Sequence, residues 1–219
     1  MGALSLVKIF IEHCEPALSK WLWLEYRHAS KLAGRENIAF CNVKDVRERR
    51  LLEKLGEVYE ESVTELPLDR ARTVILDPEA VLPLTPSDFK VFSNVVVGGI
   101  LGDHPPHGRT FRLISSKMRG VSTRNLGRRQ FSIDSSVYMA LRVAEDIPLS
   151  GIPMKRRLVI KVNEHHSIML PYTYPLVEGK PLVAPGLIKY LKDEIVKDEE
   201  AILRTGKPVS IADKLKSHL

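Results

Sequence analysis

The sequence predicts an α/β fold with a mostly parallel β-sheet. Short apolar runs alternate with helical patterns through the first half of the chain, and Gly34, Gly56 and Asp77-Pro78 separate them. After Pro148 the pattern changes to two strands that follow each other closely. Strands separated by helices need crossover connections, which pair the strands in parallel.

Four strands are expected in the first hundred residues, at 6–11, 37–41, 73–76 and 92–97. Pro16 suits the first position of a helix that Gly34 ends. A second helix is expected over 46–55, and the run 85–88 is typical of a helix start. The strand at 73–76 is stopped by Asp77-Pro78.

The second half predicts a helix near 110–116, a basic loop, and a clearer helix capped by Ser132 or Asp134 with an apolar face that reaches Ile147. Two strands of a hairpin-like unit are expected at 158–162 and 167–174, then a helix at 187–196. The tail from Lys197 is polar and is expected to be poorly ordered. We therefore expect an α/β domain over 1–148 and an extension of hairpin, helix and tail over 149–219 that packs on it.

The composition is that of a soluble globular protein, with 219 residues, 44% hydrophobic and 27% charged. No apolar run reaches the roughly 20 residues that span a bilayer, and the N-terminal stretch is a poor signal peptide. A cytoplasmic location without membrane contact follows. Cys14 and Cys41 are too few for a disulfide framework and are expected to be buried free thiols. His104 and His107 lack further ligands at suitable spacing, so no metal is expected.

Positive charge is concentrated in one segment. The net charge is +6, and residues 104–133 contain no Asp or Glu. The cations of this segment are Arg109, Arg112, Lys117, Arg119, Arg124, Arg128 and Arg129. Such a zone favours an anionic partner such as RNA or a ribonucleoprotein, although a solvated face is the ordinary alternative.

The stretch GGILGDHPPHGRT, residues 98–110, follows the apolar run 95–97. Glycine lets the main chain approach a ligand closely, and the prolines restrict the loop. Neither the dinucleotide fingerprint nor the phosphate-binding P-loop is present, and Asp103 would repel phosphates. A second glycine loop, Leu126-Gly127, precedes a helix. Two such loops at neighbouring strand ends predict a slot for a base and a ribose.

These segments, together with EHCEP (12–16), LEY (24–26), LDP (76–78) and NLGRRQFSIDSSV (125–137), resemble those of the SPOUT methyltransferases. More narrowly, they resemble the group that includes a yeast enzyme that methylates an arginine of a small-subunit ribosomal protein, and archaeal members described as predicted RNA methyltransferases. The resemblance covers about residues 7–174. It implies a C-terminal trefoil knot that binds S-adenosylmethionine, in a monomer or in a homodimer paired through the knot. The residues that it implies for the cofactor are Leu76, Asp77, Pro78, Gly98, Gly99, Ile100, Leu101, Gly102, Asp103, Leu126, Gly127, Gln130, Phe131 and Ser132.

An arginine acceptor needs a carboxylate to orient it, because its guanidinium pKa lies above about 12. Asp103 is the first catalytic candidate, with Glu12 and Glu25 behind it; alternatively, Asp103 only caps its own loop. The candidates for substrate contact are Arg109, Arg124, Arg128 and Arg129.

The sequence therefore predicts an S-adenosylmethionine-dependent methyltransferase that acts on a ribosomal component, with a protein arginine as the favoured acceptor. An RNA base or ribose, in rRNA or tRNA, is the alternative acceptor. A third possibility is a ribosome-associated RNA-binding protein without catalysis. Ribosomal protein or ribosomal RNA is the expected partner.

Overall fold

The structure is a computed structural model, and it describes residues 7–102, 107–127 and 129–216. Asp103, His104 and Arg128, which the sequence analysis singled out, lie outside the described residues. Within the described part of the chain, no helix is long and apolar enough to cross a membrane.

The central element is a six-stranded sheet in which every pairing is parallel. Its strands are β1 (Lys8–His13), β2 (Ile38–Cys41), β3 (Glu57–Val58), β4 (Thr73–Leu76), β5 (Asn94–Gly99) and β6 (Ser122–Arg124). The order across the sheet is β3-β2-β1-β5-β4-β6. The predicted α/β fold with a mostly parallel sheet is confirmed. The sequence analysis missed β3 and β6, which are the two edge strands and have only two and three residues.

Three helices belong to this part: α1 (Lys20–Ala33), α2 (Val46–Leu52) and α3 (Ile133–Ala144). Pro16 is not the first residue of α1, which begins later because the Ser19 side chain accepts a hydrogen bond from Leu22 N and caps it. Gly34 ends α1 with a φ of 84°, as predicted. The predicted helix near 110–116 is one π-helical turn, Phe111–Ser115.

The core has two layers because side chains of a strand alternate between the faces of the sheet. On one face Ile9 and Ile11 pack with residues of α1 and α3. On the other face Phe10 and Val96 pack with Ile114, from the π-helical turn. Cys41 is buried in this second layer, Cys14 is half-buried, and both thiols are free.

The described residues after α3 form an antiparallel sheet and three α-helices. The strands are β7 (Met154–Lys161), β8 (Ser167–Val177) and β9 (Lys180–Pro181), and the helices are α4 (Leu187–Asp193), α5 (Ile195–Thr205) and α6 (Ile211–Lys216). Leu24 of α1 packs in a common cluster with Tyr172 and Tyr174 of β8 and with Leu187 of α4.

After Lys197 the described residues continue α5 and form α6, and specific contacts join this segment to the core. Ile211 is buried in the main core cluster, and its backbone N–H donates to Leu18 O at 2.8 Å. The Ser210 hydroxyl donates to the buried carboxylate of Glu48 at 2.6 Å. Because this segment is mostly polar, its sequence did not indicate the helix α6, whose first residue Ile211 is buried in the core.

Candidate functional site

A pocket lies at the carboxyl ends of β4 and β5, where the sequence predicted that two glycine loops converge. We call it the glycine-loop pocket. Its lining residues are Leu76, Asp77, Pro78, Val97, Gly98, Ile100, Gly102, Thr110, Leu126, Arg129, Gln130, Phe131 and Ser136. Open parallel sheets bind ligands at this edge. The segments 76–78, 98–102 and 126–131 therefore meet around one space.

Nine of the residues predicted for cofactor contact line this pocket, together with Arg129, which was predicted for substrate contact, and with Val97, Thr110 and Ser136, which were not predicted. Gly99, Leu101, Gly127 and Ser132 lie beside the lining without belonging to it. Asp103 lies outside the described residues. Ser136 stands one helical turn beyond Ser132 and donates to its backbone carbonyl at 3.0 Å, so a prediction limited to the helix start missed it.

The absence of a side chain has a different physical effect at each of the three glycines of the first loop, Gly98, Gly99 and Gly102. A Cβ at Gly102 would lie 1.7 Å from Gln130 Nε2, so this glycine lets the two pocket walls touch. A Cβ at Gly98 would meet only Ile100 Cδ1 at 3.1 Å and Thr110 Oγ1 at 3.5 Å. Gly99 packs against Tyr26, whose hydroxyl would lie 2.1 Å from the new Cβ. The lack of a side chain at Gly99 therefore allows close packing against Tyr26 and does not enlarge the pocket.

A carboxylate that sequence analysis did not select fastens this loop. Glu15 Oε1 accepts hydrogen bonds from Leu101 N at 2.9 Å and from Arg109 Nη1 at 2.8 Å. Arg109 Nη1 also donates to Leu101 O at 3.2 Å. Arg109, predicted to contact substrate, thus joins the end of β1 to the glycine loop. Only the position of Glu15 next to the strand end hinted at this role.

Strand β8 of the antiparallel sheet holds two segments of the glycine-loop pocket, the first glycine loop and the segment before α3. Tyr172 Oη donates to Gly102 O at 3.1 Å, and Thr173 N donates to Gln130 O at 2.8 Å. Phe131 and Thr173 form an isolated parallel bridge. Strand β8 therefore contacts both the first loop and the segment before α3.

A second pocket adjoins the first, and we call it the outer pocket. The two share Asp77, Pro78, Ile100, Gly102, Thr110, Arg129 and Gln130. The outer pocket adds Glu79, His107, Gly108 and Arg109. Any group placed in it would face the contents of the glycine-loop pocket directly.

The two carboxylates of the outer pocket differ in their availability. Asp77 is buried; its Oδ1 accepts from Glu79 N at 2.9 Å and its Oδ2 from Ser115 Oγ at 2.6 Å. Glu79 is exposed, and its carboxylate makes no hydrogen bond or ion pair with the residues that the structure describes. It lies against Gly108, where an added Cβ would be 2.7 Å from Glu79 Oε1. Glu79 is thus the carboxylate that can bind an incoming cation.

The catalytic candidates Glu12 and Glu25 are buried, and neither lines the two pockets. Glu12 accepts from Ser62 Oγ at 2.6 Å and from Val63 N at 2.8 Å, and burial raises its pKa. Glu25 accepts from Trp21 Nε1 and from the backbone N–H of Ile133. Burial, and next the charge of Asp134, raise the pKa of Glu25. Their visible contacts hold the loop at 62–63 and the start of α3.

The remaining arginine candidates separate into two kinds. Arg124 forms an ion pair with Asp88 at 2.8 Å and lies over the Phe92 ring. Arg129 lines both pockets, and its Nη1 lies 3.8 Å from Met154 Sδ. Arg129 can therefore face an anionic group of a ligand. Among the described residues, no cluster of three His, Cys, Asp or Glu side chains could hold a metal ion.

The fold and the site define an α/β protein with a strand-end pocket bordered by exposed main chain, which suits a nucleoside cofactor. Residues 8–198 match the family described as protein arginine N-methyltransferase SFM1-like. This chain belongs to that family, and the resemblance predicted from the sequence is confirmed.

Individual relatives agree with this membership. The chain is 30% identical over 214 residues to the protein arginine N-methyltransferase SFM1 of Saccharomyces cerevisiae, which covers 90% of this chain and 100% of the relative. The crystal structure of yeast SFM1 complexed with SAH has a TM-score of 0.78 at 29% identity and covers 87% of this chain and 97% of the other. The structure of yeast SFM1 complexed with SAM has a TM-score of 0.78 at 28% identity, with coverages of 86% and 91%.

Proposed function

We propose that this protein is an S-adenosylmethionine-dependent methyltransferase that holds its cofactor in the glycine-loop pocket. The observation that carries the proposal is the meeting of the segments 76–78, 98–102 and 126–131 around one space. Membership of the SFM1-like family supports the same reaction. Main-chain groups of these loops read the adenosine, and Arg129 faces the carboxylate of the methionine part.

We further propose that the chain is threaded as a trefoil knot at this site. The segment after β6 lies against the loop after β4: Asn125 N donates to Leu82 O at 2.9 Å, and Leu84 N donates to Asn125 O at 2.8 Å. The same segment then contacts Gly102 through Gln130 before α3 begins. Passage between two earlier loops is the path that a knot requires, and it supports the threading.

The proposed acceptor is a protein arginine, preferably on a ribosomal protein, and it enters through the outer pocket. Bound S-adenosylmethionine would supply an electrophilic methyl group, and the acceptor nitrogen would bond to that methyl carbon in line as the methyl–sulfur bond breaks and S-adenosylhomocysteine leaves. The acceptor must therefore adjoin the donor, as the outer pocket adjoins the glycine-loop pocket. The carboxylate of Glu79, which has no ion pair with the described residues, binds the guanidinium and aims one nitrogen inward. Asp103, which follows Gly102, is the second candidate and would accept the released proton.

Glu79 also favours arginine over RNA as the acceptor. A carboxylate at the entrance attracts a guanidinium and repels phosphates. The basic segment that suggested RNA has less free charge than its sequence implies, because Arg109 and Arg124 pair with Glu15 and Asp88.

Labelled methyl transfer into ribosomes tests this function. We expect the purified protein to bind S-adenosylmethionine in calorimetry and to transfer label that resists RNase and is lost with protease. Label that vanishes with RNase would assign an RNA acceptor, and a protein that binds no cofactor at millimolar concentration would be a binding module only.

Glu79→Gln tests the acceptor pocket separately. The expected result is an unchanged dissociation constant for S-adenosylmethionine with transfer reduced about tenfold or more, since an ionic hydrogen-bonded pair contributes about 1.5–3 kcal/mol. Glu200→Gln, in the exposed part of α5, is the matched control. Equal turnover in the two variants would remove Glu79 from acceptor binding.

A further inference from the structure

Strand β7 carries a group of cations that the basic segment at 104–133 does not include. Its sequence is MKRRLVIK, and Lys155, Arg156, Arg157 and Lys161 are all exposed. The strand contains no Asp or Glu. We call these four residues the β7 basic surface.

The β7 cations differ from the arginines of the basic segment in their pairing with acids. In the described part of the chain, none of the four side chains forms a hydrogen bond or an ion pair. By contrast, Arg109 is paired with Glu15 at 2.8 Å and Arg124 with Asp88 at 2.8 Å. Among the described residues, Arg112, Lys117 and Arg119 of the basic segment are also unpaired, but β7 places four unpaired cations within only seven residues.

The geometry of β7 spreads these charges along a rigid line. β7 is an edge strand of the sheet β7-β8-β9. Its pairing with β8 shifts register between Arg156 and Leu158, and Arg157 has a φ of 57°. Such a bulge re-aims a side chain. From Lys155 to Lys161 the strand extends about 20 Å, at roughly 3.3 Å per residue.

Charge on an edge strand also blocks pairing with other sheets, but either sign of charge achieves that. Here all four residues have the same sign. A linear anion with closely spaced charges is the complementary partner, and one strand of a double helix presents a phosphate about every 3.4 Å of its axis.

We propose that the β7 basic surface binds the phosphate backbone of a nucleic-acid double helix. A duplex fits better than a single strand, because single-strand binders stack bases on exposed aromatic rings. The aromatic residues of the adjacent strand, Tyr172 and Tyr174, are buried. The most exposed apolar residues of the two strands are Val159 and Met169, which pair with each other. The surface contacts backbone only, so binding is independent of base sequence.

This surface is linked to the methyl-transfer site by short paths. Met154, the first residue of β7, contacts Arg129 of both pockets, and β8 carries Tyr172 and Thr173, which hold the pocket walls. A protein acceptor embedded in a ribonucleoprotein would thus be presented to the outer pocket while its RNA lies on β7.

Fluorescence anisotropy with a labelled 20-base-pair RNA duplex, measured from about 50 to 200 mM salt, tests the proposal. The variant replaces Lys155, Arg156, Arg157 and Lys161 with Gln. Each lost phosphate contact makes the negative slope of log K against log salt shallower by about 0.7–0.9. The magnitude of the slope should therefore fall by about 3 in this variant. The two-site variant Lys155→Gln/Lys161→Gln leaves the bulge intact and should lose about half of that.

The matched control replaces the exposed cations Lys189, Lys192, Lys197 and Arg204 of α4 and α5 with Gln, which removes the same charge elsewhere. We expect it to retain most of the slope. Equal losses in both four-site variants, or no binding by the unmodified protein at about 50 mM salt, would overturn the proposal. So would a polyglutamate peptide that binds as tightly and with the same dependence on β7. Since the readout is duplex binding, its failure leaves the methyltransferase assignment untouched.

Discussion

Replacement of Glu15 tests whether a single carboxylate sets the shape of the glycine loop. Glu15 Oε1 accepts from Leu101 N at 2.9 Å and from Arg109 Nη1 at 2.8 Å, and its side chain is 16% exposed. A hydrogen bond to a charged group contributes about 1.5–3 kcal/mol. Arg109 keeps its bond to Leu101 O at 3.2 Å, so we expect Glu15→Ala to cost about 2–4 kcal/mol in total.

Part of this cost should appear in cofactor affinity. Ile100 and Gly102, on either side of Leu101, line the glycine-loop pocket, so a loosened loop must be ordered again when the ligand binds. We expect calorimetry to give a dissociation constant for S-adenosylmethionine at least about tenfold higher, equivalent to about 1.4 kcal/mol. Glu15→Gln keeps both acceptor bonds without the charge, and its loss should be smaller.

Thermal denaturation of the same variants separates loop order from global stability. Glu200→Ala on α5 is the control for the loss of one surface carboxylate. Unchanged cofactor affinity in Glu15→Ala would refute the reasoning, because it would mean that the loop keeps its shape without this anchor.

Two further predictions concern Gly98, Gly99 and His13. Gly99→Ala places a Cβ 2.1 Å from Tyr26 Oη and 2.7 Å from the backbone oxygen of Glu12, so it should lower the free energy of unfolding by about 1–3 kcal/mol, whereas Gly98→Ala, whose nearest contact is 3.1 Å, should chiefly weaken cofactor binding. Denaturant unfolding and calorimetry should therefore distinguish the two variants. Equal changes in the free energy of unfolding and in cofactor affinity for both would contradict this. Burial lowers the pKa of the His13 imidazole from 6.5 to about 4. Between pH 6.5 and 4, His13 is therefore protonated in the unfolded chain but neutral in the folded chain. Its contribution to the free energy of unfolding is complete above pH 6.5 and is lost as the pH falls towards 4, by up to about 3 kcal/mol. Urea titrations at pH 7 and pH 4.5 should show this loss in the unmodified protein and in His165→Asn, an exposed control, but much less in His13→Asn; equal loss in all three would be evidence against it.

The sheet was predictable where buried strands are bounded by residues that interrupt them. Strand β4 has the predicted bounds because its four residues are all buried and Asp77-Pro78 follow. Strand β6, with the sequence STR, contains no aliphatic residue, and its three residues are only partly buried. Its position is set by pairing with β4, which a local pattern does not encode. The start of α1 was misplaced for a related reason: Pro16 and Ser19 both satisfy local rules, and the observed cap is Ser19.

The sequence predicted which loops form the site, but it predicted the roles of the individual residues much less well. Neighbouring strand ends and main-chain exposure located most of the lining. The contacts that define roles are long-range: Glu15 meets residues 86 and 94 positions further along the chain. Likewise, Asp77 is engaged by Ser115, which lies 38 positions further along the chain. Charge counting also overstated the basic segment, because pairing partners such as Asp88 are distant in sequence.

The boundary expected at residue 148 separates two patterns in the sequence, but the contacts of the site cross it. Tyr172 holds Gly102 through its carbonyl, and Thr173 holds Gln130. Gly102 and Gln130 are in close contact, since a Cβ at Gly102 would overlap the Gln130 amide. Strand β8 therefore holds both partners of this contact. Ile211 and Ser210 are in turn anchored to Leu18 and Glu48, so the C-terminal residues pack next to α1, and Leu24 of α1 packs with β8. The extension is thus a structural part of the glycine-loop pocket, and the basic strand β7 that it carries is held beside that pocket.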